Sequence, residues 1–255
     1  MIRNSLCILV MVCCLVTAGS VSAGKYLRLE NREHVEIQKT RGFLNFNGTF
    51  TLETWLRWAD KHAGVISLVS DDLSPGELPS KTVREICGWI MRVSPIQDAR
   101  FRDFELTFAA TGPRQKSPTW HSLKTRIAAL PEGTESGWHH IAICKTPQTM
   151  IVYFDGKAAI SAPCTGTRFF AAPTNLYLGV RDGARATRNV FADYRAFRIV
   201  DRIVYRRPFK PQLELPKHGR TVLNLDFQQG AAGVIPDSVS GEHSGLVNGG
   251  TWLED

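Results

Sequence analysis

The sequence predicts an all-β fold in which two antiparallel sheets pack face to face. Three observations support this prediction. Short apolar runs, several with every second residue apolar, follow one another along the chain. Connectors rich in glycine, proline and serine separate these runs, and no long window repeats apolar residues at helical spacing between capping residues. Short strands joined by turns are typical of β-sandwiches.

The first 23 residues predict an export signal. Arg3 supplies a positive start, residues 6–16 form an unbroken apolar run, and Val21-Ser22-Ala23 offers small residues for cleavage after Ala23. The run is too short to span a bilayer as a helix, although a membrane anchor is the alternative interpretation. We therefore expect residues 24–255 to form one secreted domain, extracellular or periplasmic, without a membrane span.

The strand at residues 49–58 carries the clearest alternation. Its even-numbered residues, among them Leu52, Leu56 and Trp58, share one face, and its odd-numbered residues, among them Glu53 and Trp55, share the other. Because each face carries a tryptophan, we expect this strand to be central in its sheet.

Further strands are predicted in chain order at 64–70, 101–108, 138–145, 150–154, 157–162, 176–180, 194–200 and 222–227. In the second of these, Phe104 is expected to point inward and Asp103 and Glu105 outward. Asp155-Gly156 predicts a tight hairpin turn, because both central positions of such a turn need positive φ.

The positive charge of the chain is concentrated in one segment. Without the leader there are 30 basic and 24 acidic residues, a net charge of +6, and residues 181–210 alone hold nine basic and three acidic ones. Such a patch attracts anions, although a solvated, arginine-rich edge would look the same. Nucleic acid is not an expected partner, because the chain carries a predicted export signal and no nucleic-acid-binding motif.

Three cysteines remain after the leader: Cys87, Cys144 and Cys164. An odd number leaves at least one without an intrachain partner, and an oxidising compartment permits one disulfide. The sequence leaves the pairing open and contains no CxxC motif in the mature chain.

Four segments, in order, resemble the laminin G-like jelly-roll family of the concanavalin A-like lectin/glucanase superfamily. They are VEI and FTLETW (35–37, 50–55), GWHHIA with IVYFDGK (137–142, 151–157), LYLGV with FRIVDRIVYRRPFKP (176–180, 197–211), and VLNLDFQQG with PDSVSGEHSG and GTW (222–230, 236–245, 250–252). The resemblance implies a two-sheet antiparallel jelly-roll β-sandwich over 24–255. It also implies that both chain ends share a sheet.

Several residues within these motifs are interpreted as structural. Consecutive strand residues point to opposite faces, so His139 and His140 are expected to pack and hydrogen-bond instead of sharing a metal. Trp138 is expected to bury a large apolar area. Asp226 and Asp237 are expected to hydrogen-bond turns.

Calcium is the cofactor that the resemblance implies. Its candidate ligands are Asp71 and Asp72, in a loop expected after the strand at 64–70, and Asp182 and Asn189, around the loop after 176–180. The chain departs from the family just before the strand that contains FRI (197–199), because relatives commonly carry an acidic pair where this chain has Arg195-Ala196.

Sugar binding commonly uses an exposed aromatic ring beside polar side chains. Trp120-His121, in an expected proline-flanked loop, is the best such candidate, whereas Trp55 and Trp89 are expected in the core. A second set, Arg181, Arg185 and Arg188, suits sulfate or carboxylate groups. These residues favour a glycan partner, including an anionic polysaccharide, with a cell-surface protein as the alternative. Asn47-Gly48-Thr49 is a glycosylation sequon if the host glycosylates.

No catalytic motif is found in the sequence. The E-x-D-x-x-E pattern of related glucanases, a Ser-His-Asp elbow, a P-loop and HExxH are all absent. Asp103 and Glu105 share one strand face and are the nearest pair to a catalytic one. The sequence therefore predicts a non-enzymatic binding or adhesion module. A glycoside hydrolase or lyase and a structural envelope protein are the alternatives.

Overall fold

Two antiparallel β-sheets stack to form a sandwich. The structure is a computed structural model, and it describes residues 24–40, 44, 47–58, 66–72, 88–95, 101–111, 119–128, 137–170, 174–180 and 190–255. These residues contain no helix, so none is long and apolar enough to cross a membrane. The all-β sandwich predicted from alternation is confirmed.

The first sheet has the order β10-β9-β8-β3-β13-β1-β17, with β14 also paired to β13. Its strands are β1 (Lys25–Asn31), β3 (Phe50–Trp58), β8 (His139–Lys145), β9 (Thr149–Phe154), β10 (Lys157–Pro163), β13 (Val190–Val200), β14 (Thr221–Asp226) and β17 (Thr251–Glu254). Because β1 and β17 are neighbours, the two described chain ends lie in one sheet, as the family resemblance implied.

The second sheet has the order β11-β6-β5-β4-β12-β2-β16-β15, with β7 paired to β6. Its strands are β2 (His34–Ile37), β4 (Ile66–Asp72), β5 (Gly88–Pro95), β6 (Phe101–Thr111), β7 (Thr119–Ala128), β11 (Arg168–Phe169), β12 (Leu176–Leu178), β15 (Val234–Ile235) and β16 (Gly245–Asn248).

The main core lies between the sheets and follows the predicted alternation. In β3, Leu52, Leu56 and Trp58 join this core, and the strand pairs with β8 on one side and β13 on the other. Trp89 is also buried there, whereas Trp55 is buried on the opposite, outer face of the first sheet. The central position of β3 is thus confirmed.

A segment after β13 covers that outer face. We call residues 201–217 the strap. Thr51 donates to the carbonyl of Arg202 (2.8 Å) and accepts from the amide of Val204 (3.0 Å), and Trp55 Nε1 donates to the carbonyl of Gln212 (2.8 Å). The strap therefore gives the first sheet a second layer of packing, opposite the main core.

Aromatic rings hold the strap against β8 and β9. The rings of Tyr205 and Phe209 stack with centroids 3.5 Å apart, and Phe209 meets Tyr153 and His140 edge-on. The amide of Phe209 donates to the carbonyl of Gly156 (3.0 Å) in the β9–β10 turn. Asp155 and Gly156 have φ of 50° and 75°, which confirms the predicted hairpin turn.

A fully buried ionic network lies under the strap. Glu53 accepts hydrogen bonds from His140 Nε2 (3.1 Å), from Arg198 Nε (2.9 Å) and from the hydroxyl of Tyr205 (2.8 Å). Burial by itself raises the pKa of the Glu53 carboxyl. The hydrogen bond from His140 and the charge of Arg198 more than offset it and hold that pKa below its usual range.

The paired histidines divide between the two faces, as predicted. His139 stacks on Trp58 (centroids 4.8 Å apart) on the core side, whereas His140 joins Glu53 on the strap side. Both therefore serve packing and hydrogen bonding. The predicted turn role of Asp237 is confirmed too, because its carboxylate accepts from the amides of Asn224, Val239 and Ser240. Asp226 accepts from the amide of Gln228 (3.1 Å) in the same manner.

Candidate functional site

Strand β7 turns alternate residues toward the core and toward the outer face of the second sheet. His121 stacks on Phe108, with ring centroids 6.0 Å apart, and Leu123 packs against the same core. Trp120 lies on the other face and is 37% exposed. The prediction that Trp120 and His121 lie in a loop was wrong, because their backbones pair with Ala109 and Phe108 of β6.

The outer side of β7 continues from Trp120 as a ladder of polar pairs with β6: Ser122 with Thr107, Lys124 with Glu105, and Arg126 with Asp103. The hydroxyl oxygens of Ser122 and Thr107 are 3.0 Å apart. We call Trp120 and these six residues the β7 face. Sequence reasoning missed Ser122, Lys124 and Arg126, although their alternation with apolar residues was visible in the sequence.

Glu105 is the best-fixed charge of the β7 face. Its carboxylate is 2.7 Å from Arg92 Nε and 3.5 Å from Lys124 Nζ, and it accepts a hydrogen bond from Thr107 (3.1 Å). Burial favours a raised pKa, but the hydrogen bond from Ser122 and the ion pair with Arg92 outweigh it, so the pKa of Glu105 is lowered. Glu105 is thus held as a charged acceptor, which is the reverse of what a general acid needs.

The stability of the fold is expected to fall in acid. Four carboxyl groups of the described residues, Glu53, Glu105, Asp155 and Asp237, have a lowered pKa, since hydrogen bonds to each outweigh the effect of burial. A carboxyl group whose pKa is lower in the folded chain stabilises the fold at pH values above its unfolded pKa, about 4. This stabilisation is lost as the pH falls through the folded pKa. The contribution of these four carboxyl groups to the free energy of unfolding, measured with urea, is therefore expected to decrease steadily as the pH falls below about 5. If the free energy of unfolding stays constant or rises as the pH falls below the unfolded carboxyl pKa, the lowered pKa of these four groups is contradicted.

Of the candidate calcium ligands, only Asp71 and Asp72 lie within the described residues. Asp71 and Asp72 were expected in a loop after a strand. They are instead the last residues of β4, because their backbones pair with Trp89 and Gly88 of β5, a strand that the sequence analysis did not predict. Within the described ranges, no three His, Cys, Asp or Glu residues are grouped as a metal site. Asp182 and Asn189 lie outside the described residues, so calcium binding stays a prediction.

Other predicted residues have mixed outcomes. Arg181, Arg185 and Arg188, the candidate anion-binding set, lie outside the described residues, as does Cys87. Cys144 and Cys164 are both free and buried, and burial raises the pKa of Cys144 to about 11. Neither buried thiol is suited to be a nucleophile, because the thiolate is the reactive form.

Comparisons with known proteins give one family match and a set of structural neighbours. A laminin G-type family model, described as the concanavalin A-like lectin/glucanases superfamily, matches residues 29–205. No curated protein matches the chain by sequence.

Solved structures with a similar arrangement are distant in sequence. The heptameric SAP-like pentraxin from Limulus polyphemus is 10% identical with a TM-score of 0.45, over 72% of this chain and 78% of that one. The ligand binding domain of botulinum neurotoxin serotype D, in complex with N-acetylneuraminic acid, is 12% identical with a TM-score of 0.42. That match covers 68% of this chain and 37% of the toxin chain.

Proposed function

Because the chain belongs to the concanavalin A-like lectin/glucanases superfamily, we propose that it is an exported, non-catalytic module that binds carbohydrate on its β7 face. The observation that carries the proposal is Trp120, a large ring that is 37% exposed at the head of a ladder of hydrogen-bonding side chains. A sugar ring presents an apolar C–H face and a rim of hydroxyl groups. The β7 face offers a partner for each.

The polar ladder supplies the hydrogen bonds that orient a sugar. Ser122 and Thr107 can donate and accept, Glu105 accepts, and Lys124 and Arg126 donate. Since Arg92 and Thr107 already fix Glu105, the acceptor is ordered before a ligand arrives. Pre-ordered partners reduce the entropy that is lost on binding.

The charges on and beside the β7 face favour an acidic polysaccharide. Lys124 and Arg126 balance Asp103 and Glu105 on the face itself, and Arg92, next to Glu105 on β5, adds one positive charge. Lys124 is exposed (53% of its side chain), so it remains accessible to a sulfate or carboxylate group. Because exposed charges are screened by salt, this part of the affinity is expected to decrease as ionic strength rises.

The non-catalytic part of the proposal rests on the state of the one acidic pair on this face. Glycoside hydrolysis needs one carboxylic acid with a raised pKa opposite a carboxylate. The pKa of Glu105 is instead lowered, and its carboxylate is occupied by Arg92 and Lys124. Incubation with polysaccharides is therefore expected to release no new reducing ends.

Replacing Trp120 by alanine is the direct test of the β7 face. Wild-type protein is applied to an array of neutral and acidic polysaccharides, and the strongest binder is titrated against both proteins. Removing the one large stacking ring of the β7 face is expected to weaken affinity by about tenfold or more.

A matched control is available on the same sheet. Leu246 is also a large exposed apolar residue (40%) but lies on β16, near the opposite edge. Leu246→Ala is expected to leave the affinity unchanged. If no polysaccharide binds, or if Trp120→Ala binds as tightly as the wild type, the proposed function is wrong.

Export is proposed from the apolar run at 6–16 and the small residues at 21–23. N-terminal sequencing of protein recovered outside the cytoplasm is expected to begin at Gly24.

A further inference from the structure

A recess lies on the opposite side of the molecule from the β7 face. It is a surface groove of about 440 Å³ on the outer face of the first sheet, between the end of the strap and β14. Its walls include Leu213, Glu214 and Leu215 of the strap, Asn224 and Asp226 of β14, and Gln229 after it. This volume lies in the range of small-molecule sites, and apolar residues beside amide groups suit a compact polar ligand.

One end of the groove is positively charged and has an aromatic neighbour. Arg195 lines the groove, and its guanidinium lies 5.7 Å from the ring centre of Trp138. The guanidinium of Arg57 lies over the same ring (4.8 Å) and over Tyr26 (4.5 Å). Two arginines are therefore fixed beside each other by aromatic rings, which is an arrangement suited to a carboxylate.

A carboxylate of the chain itself is already bound to Arg195. Asp255 accepts a hydrogen bond from Arg195 Nη1, and its second oxygen is 3.7 Å from Arg57 Nη1. The other carboxylate of the cluster, Asp193, is only 5% exposed and is held by Arg28 and Arg57. The side chain of Asp255 is 31% exposed and follows the last strand, so it is the exchangeable member of the cluster.

A second cation, Lys217, also lines the groove. Lys217 donates to the carbonyl of Ser238 (3.2 Å) and has no carboxylate partner among the residues that the structure describes. The amide groups of Asn224 and Gln229 already donate to Ser238 (2.8 Å) and to Asp226 (2.9 Å), which leaves their amide oxygens free to accept from hydroxyl groups. Lys217 can donate to hydroxyl groups, and the carboxylates of Glu214 and Asp226 in the wall can accept from them. The groove thus offers Arg195 for a carboxylate, and amide and carboxylate groups for a ring bearing hydroxyls.

We propose that this groove binds an acidic sugar, whose carboxylate displaces Asp255 from Arg195 while its ring lies between the strap and β14. Asp255 is then an internal competitor that occupies the site until such a ligand arrives. The site shares no residue with the β7 face, so either one can fail without the other.

Asp255→Asn tests the competitor. The variant removes the internal carboxylate charge, so D-glucuronate is expected to bind about fivefold more tightly than to the wild type, as follows when a partly exposed ion pair no longer competes. The indole N–H signal of Trp138 in a nitrogen-15 NMR spectrum is the readout, because this ring lies under both arginines. A variant that binds better cannot be explained by misfolding.

Three controls define the result. Asp201→Asn removes an acid from an exposed pair with Arg220 on the surface and is expected to leave affinity unchanged. Arg195→Gln is expected to abolish the Trp138 shift while polysaccharide binding at Trp120 persists. Glucose, which lacks the carboxylate, is expected to bind at least tenfold more weakly than glucuronate.

Three outcomes would overturn the inference. One is a Trp138 signal that glucuronate does not shift saturably in either protein. Another is equal affinity of the wild type and Asp255→Asn. The third is acetate binding as tightly as glucuronate, which would show an anion site without recognition of the sugar ring.

Discussion

Replacing Glu53 by glutamine is expected to reduce the free energy of unfolding by about 3–5 kcal/mol. Glu53 and Arg198 have fully buried side chains on neighbouring strands, and His140 and Tyr205 also donate to the Glu53 carboxylate. The amide keeps the shape of the carboxylate but leaves the Arg198 charge buried without its counter-ion. Urea denaturation followed by circular dichroism measures the loss.

Two companion variants separate burial of charge from loss of a contact. Asp201→Asn breaks an arginine–carboxylate pair of similar geometry (2.9 Å) whose side chains are 62% and 56% exposed, and it is expected to change stability by less than about 1 kcal/mol. The double variant Glu53→Met with Arg198→Met is expected to recover part of the loss, because no unpaired charge stays buried. Similar effects of Glu53→Gln and Asp201→Asn would contradict this account.

Gly156→Ala is expected to destabilise the chain by about 2 kcal/mol or more, through two separate effects. Gly156 has a φ of 75°, which costs an L-residue about 1–2 kcal/mol. A Cβ at this position would also lie 1.9 Å from the carbonyl oxygen of Phe209, which is backbone and cannot rotate away. The strap must therefore move from the β9–β10 turn, and its aromatic packing on His140 is lost.

Gly241 provides the matched control for this substitution. Its φ is 73°, but a Cβ there would meet nothing within 4 Å, so Gly241→Ala isolates the cost of the backbone conformation. Hydrogen exchange at the amide of Phe209 is expected to accelerate in Gly156→Ala and to be unchanged in Gly241→Ala. Equal stability of the two variants would mean that the strap does not depend on contact with this turn.

The sequence predicted the sandwich because its long strands alternate cleanly. Alternation of side chains along a strand explains the two faces of β3 and the opposite placement of His139 and His140. The need for positive φ in a tight hairpin explains the Asp155-Gly156 turn. The pairing of the chain ends followed from family resemblance alone, since no local rule joins residues more than two hundred positions apart.

The parts that could not be predicted depend on contacts between distant segments. Strand β7 alternates, but its exposed side is polar and its flanks contain proline, so the sequence alone favours a loop. Only the backbone pairing with β6 shows that it is a strand. The strap has no regular pattern, and its position results from Trp55, Thr51 and Gly156 together. The Arg195–Asp255 pair was equally hidden, because sixty residues separate its members.

The most direct measurement of the central claim is a titration of nitrogen-15-labelled protein with the polysaccharide fragment selected on the array, observed at the six tryptophan indole N–H signals. The signal of Trp120 is expected to shift saturably, while that of Trp89, which is 1% exposed in the main core, stays in place. Saturable binding of the fragment without any change in the Trp120 signal would contradict the claim that this protein binds its glycan on the β7 face.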